Sequence, residues 1–420
     1  MEIINKIEES NKYVTKFSIF IVFLLIYYNN ESFPSIILKS PIPSILLLLL
    51  VFGGFFLYKV ISKNRKINLE ASILVIILIA SLLITMITTQ DYSGGFLKIM
   101  IGLIIGYMLS HFLSIYQFTA SYVRVMLFIA IYSLCVTYVL RPIVFGLPSV
   151  VAPIFTNDAG FSFINLHFSM VLNEPYYFRN FGIFREPGVY QFFINIALIF
   201  ELFFKRGRIN GVTILIFCIT SISTFSTVAF ISTFVILFSS ILVSNRTSKA
   251  FNKLNRKIIA STLLILLFSI LIVLVTSENF SAMMTSTMEK LTQRESSFQG
   301  RIVAVLANLS FWIENPFFGH GIEALGSSVR GHMLSKFNFS TAHNTSTTGA
   351  MLVSFGIVFT FFTVYGLFRF LEASKVNKIV IIMMFLVVMF CINTQLFIYN
   401  EVLYTLILYG YQGVKLKRVR

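Results

Sequence analysis

Three arginines, a glutamate and a histidine stand where this chain can do chemistry. The run Arg179-Asn-Phe-Gly-Ile-Phe-Arg185-Glu186-Pro187-Gly188 sets two guanidinium groups and a carboxylate just ahead of a long apolar segment. Arg301 opens a second such stretch, which closes with Ala342-His343-Asn344-Thr345-Ser346. A guanidinium is a planar fork that stays charged and grips two phosphate oxygens at once, so Arg179, Arg185 and Arg301 are candidates for a phosphate clamp. The same arginines also suit anchors against lipid phosphates, and Arg301 suits a plain surface position. A histidine near a helix N-terminus feels the positive end of the dipole, which favours neutral imidazole. Neutral His343 or ionised Glu186 can take a proton as general base. Arg185 and Glu186 are sequence neighbours, so on a regular backbone they point apart and need not neutralise each other.

Around these groups the sequence offers no second chemistry. The outer stretches lack Asp-x-Asp, His-Glu-x-x-His and paired cysteines, so no metal site and no cofactor are expected. A glycine-rich phosphate loop ending in Gly-Lys-Ser/Thr is missing too. An outward-facing enzyme of this composition requires a substrate that arrives already activated. Arg301 to Trp312 reads as a short apolar helix at the membrane interface, with Trp312 at headgroup depth and Pro316, Gly319 and Gly321 ending it in a turn. Cys135, Cys218 and Cys391 fall inside apolar runs and read as small buried hydrophobes.

The elements that must position these residues are membrane helices. Apolar residues make up 57% of the chain and charged residues 12%, about half the charge of a soluble domain. The fold class expected is all-α: one polytopic transmembrane bundle over residues 1–420 with about 12 spans, each long enough for a roughly 30 Å hydrocarbon core. The runs are Phe17–Tyr28, Ser44–Ile61, Ala71–Thr88, Gly95–Tyr116, Val123–Leu140, Val189–Phe204, Val212–Ser223, Val228–Val243, Ile258–Val275, Thr345–Phe368, Ile379–Ile392 and Gln395–Tyr411. Ser and Thr fill Ser221–Thr227, so the seventh and eighth runs also fit one broken helix plus a span. Met1 to Lys16 has mixed charge and no small-residue cleavage site, so no removable signal is expected.

The net charge of +16 comes from 33 Lys and Arg against 17 Asp and Glu. Most of the basic residues lie in alternate short connections, which sets orientation rather than nucleic-acid binding. Both termini then face the cytoplasm. Two long connections fall on the outer side, residues 141–187 and 277–344, both expected to be extracytoplasmic loops containing short helices. Loops of that length are uncommon unless they serve a function.

The order Arg179…Gly182…Phe184…Glu186-Pro187-Gly188, then Arg301…Trp312…Asn315-Pro316…Gly319-x-Gly321, then His343-Asn344 resembles the O-antigen polymerase and O-antigen ligase family. The resemblance is strongest from Arg179 to Phe368, and the first five spans add only topology to it. It implies a metal-independent membrane glycosyltransferase of the bacterial inner membrane, acting on glycans linked to undecaprenyl diphosphate. It further implies that Arg179, Arg185 and Arg301 bind the diphosphate, that His343 or Glu186 is catalytic, and that a chain-length regulator protein is a partner. Where the family's first motif often has Asn, this chain has Glu186, a form more familiar among polymerases than among ligases. A ligase that moves finished polysaccharide to lipid A core or protein is the alternative.

A lipid-linked oligosaccharide flippase or other transporter is the competing class. Transporters place charges or helix breaks near the midplane, often in repeated halves. Here Glu201 and Glu401 are the exceptions in largely uncharged spans, and no internal repeat is visible. Topology mapping with reporter fusions is expected to find residues 141–187 and 277–344 outside and Asn245–Lys257 in the cytosol. Cytosolic signals from both long segments would defeat this reading of the chain.

Overall fold

The computed structural model describes residues 15–37, 42–63, 68–147, 154–156, 162–173, 178–205, 209–243, 295–337 and 345–412. Within them the chain is mostly helical: α1 (Lys16–Tyr27), α2 (Ile42–Lys63), α3 (Leu69–Thr89), α4 (Gly94–Phe112), α5 (Ile115–Leu134), α6 (Pro187–Ile199), α7 (Gly211–Ser223), α8 (Thr227–Val243), α9 (Glu295–Trp312), α10 (Ser327–Phe337), α11 (Thr347–Glu372), α12 (Lys378–Ile392) and α13 (Glu401–Tyr411). Single π-helical turns extend α5 to Val139 and α6 to Phe204. Five helices are long and apolar enough to cross a membrane by length and composition: Leu69–Thr89, Gly94–Phe112, Ile115–Val139, Pro187–Phe204 and Thr347–Glu372. The protein is a helical membrane protein.

A helix occupies every expected apolar run that lies among the described residues; the ninth, Ile258–Val275, lies outside them. Two boundaries move. The run Gly95–Tyr116 breaks at Leu113 and Ser114, where Ser114 and Gln117 cap the start of α5 reciprocally. The run Gln395–Tyr411 becomes helical only at Glu401, because Asn393 to Asn400 form a connection held by side-chain bonds. Elsewhere helix starts are satisfied by Thr15, Asn68, Asn210, Ser346, Asn377 and Asn400, whose side-chain oxygens accept backbone N–H groups of the first turn. Of the three cysteines, Cys218 and Cys391 are buried as expected, but Cys135 is exposed on its helix.

The all-α expectation needs one correction. Residues 154–172 of the first long connection carry an antiparallel three-stranded sheet, β1 (Ile154–Thr156), β2 (Ser162–Asn165) and β3 (Met170–Leu172), in the order β1-β2-β3. Ile164 and Val171 pack on Val136 in the π turn of α5 and on Val144 in the short helix after it, and the Tyr132 hydroxyl donates to the Leu166 carbonyl at 3.0 Å. Strands this short show too few alternations to be read from periodicity.

Inside a membrane, apolar helices gain nothing from leaving lipid for each other, so close packing and polar contacts must hold the bundle. Helix α6 and its π turn, along with the whole of α13, are buried among the other helices. Against α13 the chain uses glycine: a Cβ on Gly106 would sit 3.0 Å from the Thr405 nitrogen, and one on Gly410 would collide with the Gly366 carbonyl of α11.

Helix α11 is interrupted at Gly356, whose φ of 71° and ψ of −172° no helix contains. The break lets Ile357 N–H donate to the Pro316 carbonyl at 2.8 Å, while the Val353 and Ser354 carbonyls accept from His320 N–H at 2.7 Å and Gly321 N–H at 3.1 Å. The Asn315-to-Gly321 turn is thus stitched into an opened helix, which keeps the interrupted backbone satisfied. Alanine at 356 would be strained at that φ and would drive its Cβ into the Phe317 carbonyl. Gly356→Ala is expected to cost about 2–4 kcal/mol, read as a lower melting temperature of the detergent-solubilised protein. A wild-type melting curve would mean that the turn does not dock in this gap.

Candidate functional site

The first motif segment is a tightly bonded strap. Asn180 Nδ2 donates to Ser133 Oγ and Ser223 Oγ, both at 3.1 Å, and its Oδ1 accepts from Gly182 N–H at 2.9 Å. Gly182 has φ of 53°, and a Cβ there would sit 2.8 Å from the Tyr190 ring. Arg179 Nε donates to the Thr224 carbonyl at 2.9 Å, over the α7–α8 junction. That junction does separate two helices, with Phe225 at φ 48° between them. Glu186 is the extended residue before α6; its side chain makes no capping bond and is exposed, and Pro187 fills the first helical position.

Arg185 is held by a partner that sequence reasoning missed. Its Nε donates to Glu31 Oε2 at 2.5 Å, its Nη2 reaches the Leu396 carbonyl at 3.4 Å, and its backbone N–H donates to the Glu31 carbonyl at 3.1 Å. Phe33 N–H donates to the Ile183 carbonyl at 2.8 Å, and a single antiparallel bridge pairs Ser32 with Phe184, so the Asn29–Phe33 connection lies beside the strap. The Glu31 carboxylate raises the Arg185 guanidinium further above its ordinary range. Burial pushes the Glu31 carboxyl up, and Arg185 opposes that push. Asn29 Nδ2 and Asn30 N–H donate to Glu401 Oε2 at 2.7 and 3.0 Å, which fixes this connection to the start of α13. The only sequence signal for Glu31 was its place in the polar Asn29-Asn30-Glu31-Ser32 step between two apolar runs.

The Asn393–Asn400 connection joins this strap to the segment that follows His343. Asn393 Oδ1 accepts from Ser346 Oγ at 3.0 Å and Thr348 N–H at 2.9 Å. Thr347 Oγ1 donates to the Gln395 carbonyl at 2.6 Å and accepts from Phe397 N–H at 2.8 Å. Gly188, in the first turn of α6, leaves room for the Gln395 side chain, which a Cβ there would strike. Arg185, the start of α6 and the start of α11 therefore meet around Gln395 to Phe397. His343 itself lies outside the described residues. Arg301 lies on α9, whose helix begins at Glu295 rather than at Arg301, and its side chain also lies outside them. Further along α9, Asn308 packs against Gly349 in the first turn of α11.

The second motif is anchored from another side. Asp91 Oδ2 accepts from Glu323 N–H and Oδ1 from Ser93 N–H, both at 2.9 Å, and a Cβ on Gly321 would sit 2.7 Å from Oδ2. Burial pushes the Asp91 carboxyl up, but these backbone donors outweigh it and hold it below the ordinary aspartate range. Trp312 Nε1 donates to the Pro316 carbonyl at 2.9 Å. His320 stacks on Phe311 at 4.1 Å and bonds its carbonyl at 2.9 Å, and His332 bonds Ser310 Oγ at 2.7 Å. Partial burial and the charge of Lys336 push the His332 imidazole down, with Glu314 opposing. These two histidines hold α9 to its neighbours. The helix α10 after the turn was not foreseen.

With this geometry in view, comparison with known proteins bears on the chemistry. Residues 212–345 match the model of the O-antigen ligase family. That stretch supports the O-antigen polymerase and ligase family for the chain and, with it, a membrane glycosyltransferase-like enzyme. The match runs from α7 to the Thr345 step and contains Arg301 and His343; the Arg179–Gly188 strap lies upstream of it. No curated protein and no solved structure matches the chain.

Asp91 tests how the second motif is fixed. Its depressed carboxyl contributes stability that is complete above the unfolded value of 3.8 and is lost as pH falls through the lower folded value. Asp91→Ala is expected to loosen residues 316–323 by about 1–3 kcal/mol. Limited proteolysis at neutral pH should then cut this turn faster than in the wild type, and equal cutting rates would remove Asp91 as its anchor.

Proposed function

We propose that this protein joins undecaprenyl-diphosphate-linked oligosaccharide units into a polysaccharide, on the outer face of a bacterial inner membrane. The observation that carries the proposal is the meeting of Arg185, the start of α6 and the start of α11 around one connection, Gln395 to Phe397. A phosphate clamp from one motif and the segment next to His343 from the other thereby share one end of the bundle. The family match in residues 212–345 supports the same chemistry from the second motif.

In this reading both termini are cytoplasmic, and residues 141–187 and 277–344 lie outside among about 12 spans. A sugar hydroxyl of the acceptor attacks the anomeric carbon opposite the diphosphate. The new C–O bond forms as the sugar–diphosphate bond breaks, and the configuration inverts. His343 takes the hydroxyl proton; Glu186, exposed at the start of α6, orients the acceptor or takes the proton in its stead. Arg185, with Arg179 and Arg301, receives the negative charge that grows on the departing diphosphate. The bond to the diphosphate supplies the driving force, so the reading calls for neither metal nor cofactor. A chain-length regulator is the protein partner it proposes.

The match to the O-antigen ligase family favours a second reading, a ligase that uses the same donor and hands the glycan to lipid A core or protein. A strain lacking the protein separates the two. Single-repeat caps on lipopolysaccharide mark a polymerase, and accumulated lipid-linked long polymer marks a ligase.

Arg185→Ala is expected to lower transfer by about 10²–10³-fold and His343→Ala by about 10²–10⁴-fold, both at normal protein level. Arg185→Lys should fail to rescue, because an ammonium is a point charge without the fork. Normal surface polymer from both alanine variants would end the proposal.

A further inference from the structure

We infer that Glu31 is a positioning residue for Arg185: it fixes the plane of the guanidinium so that the free edge faces the anionic leaving group. The inference rests on the function proposed above. Arginine carries five N–H donors in a rigid plane. Glu31 Oε2 takes the Nε donor at 2.5 Å, and the Leu396 carbonyl lies 3.4 Å from Nη2. These two contacts orient the guanidinium plane, while Nη1 makes no hydrogen bond among the described residues. The Glu31 side chain is 2% exposed and that of Arg185 36% exposed. The carboxylate is therefore buried, while the arginine side chain that it holds keeps part of its surface exposed.

Glu31 is itself bonded in place. Its backbone N–H donates to Asn29 Oδ1 at 3.0 Å, Asn29 Nδ2 is bonded to Glu401, and the Glu31 carbonyl accepts from Arg185 N–H at 3.1 Å. Glu31 thus meets Arg185 through both its backbone carbonyl and its carboxylate, which ties the guanidinium to the placement of this connection. The buried carboxylate also cancels the charge of Arg185 without competing for its outer edge. Binding of an anion then depends on meeting Nη1 and Nη2 in their plane, and attraction by net charge alone is suppressed. The geometry suits a ligand with two neighbouring anionic oxygens whose charge increases during reaction, as on a departing diphosphate.

The test uses the purified full-length protein in phospholipid nanodiscs, with a lipid-diphosphate-linked repeat unit as donor. Glu31→Ala, Glu31→Gln, Arg185→Ala and the double variant Glu31→Ala/Arg185→Ala are compared for kcat and KM per folded molecule. Glu31→Gln keeps an acceptor for Nε but removes the countercharge, so kcat should stay within a few-fold of wild type while KM rises as phospholipid phosphates compete for the guanidinium. Glu31→Ala should lose kcat by an order of 10²-fold, as displacement of an aligned group by about 1 Å does, with KM little changed. The double variant should be no slower than Arg185→Ala, because Glu31 acts only through that arginine. Glu31→Ala turnover equal to wild type, or losses that multiply in the double variant, would overturn the inference. A merely structural role would lower the folded fraction and leave kcat per folded molecule intact, which overturns it as well. Arg185→Ala turnover equal to wild type overturns instead the function on which the inference rests.

Discussion

Backbone groups that leave helical geometry at the end of this bundle where the motifs meet need partners in protein, and that requirement shapes the site. The Asn393–Asn400 connection leaves helical geometry between two apolar helices, so its carbonyls and N–H groups would be orphaned in lipid. Ser346, Thr347 and Thr348 at the start of α11 satisfy one side of it, and Arg185 of the first strap reaches the Leu396 carbonyl on the other. Asn400 caps α13 and shares its amide with Asn29, and Asn29 in turn ties down the loop of Glu31. One set of backbone groups seeking partners thus gathers segments from residues 29, 185, 346 and 396. The motifs converge because none of these segments is satisfied alone.

The same requirement explains the break at Gly356. A helix opened inside the bundle exposes two carbonyls and one N–H, and the turn from Asn315 to Gly321 has donors and acceptors in matching order. Asp91 holds the far side of that turn through Glu323, and Thr85 Oγ1 donates to the Phe318 carbonyl at 2.8 Å. The second motif is therefore built from a gap in one helix filled by the Asn315-to-Gly321 turn, braced by the α3–α4 connection. Its glycines belong to this joint: Gly319 and Gly321 have φ of 71° and 85°, and each passes within van der Waals limits of a backbone or carboxylate neighbour.

Apolar runs were enough to place the long apolar helices among the described residues, though not α10, because in lipid a run of that length has few alternatives to a helix. The ends of those helices were less legible. Gln395 to Tyr399 are apolar enough to continue a span, and only the bonds of Asn393, Thr347 and Asn400 turn them into a connection. Gly356 sits in an unbroken apolar sequence, and nothing local announces that Pro316 takes its neighbour's N–H. At the site, Arg179, Arg185 and Glu186 were visible from charge beside an apolar run. Glu31 was not, since its partner is 154 residues away in sequence and a single acid in a short turn has the look of solvated loop. The sheet on α5 escaped for a related reason, as three-residue strands take their stability from the surface beneath them.

The pairing of Arg185 with Glu31 bears on how an enzyme at a membrane surface distinguishes its substrate. On the proposed reading the site opens among phospholipid headgroups, each offering a phosphate at high local concentration. An arginine with no countercharge in a low-dielectric site would bind such phosphates by charge alone. With a buried carboxylate at Nε the pair carries no net charge, and the distant attraction for any single anion is largely cancelled. Only a ligand that reaches the outer edge at hydrogen-bond distance, in the plane of the fork, regains the interaction. A leaving diphosphate meets that condition best when the glycosidic bond is breaking, because its charge is then rising at the bridging oxygen. The buried glutamate thereby moves the arginine's contribution from binding any phosphate toward stabilising one reaction step, which is where binding energy accelerates chemistry.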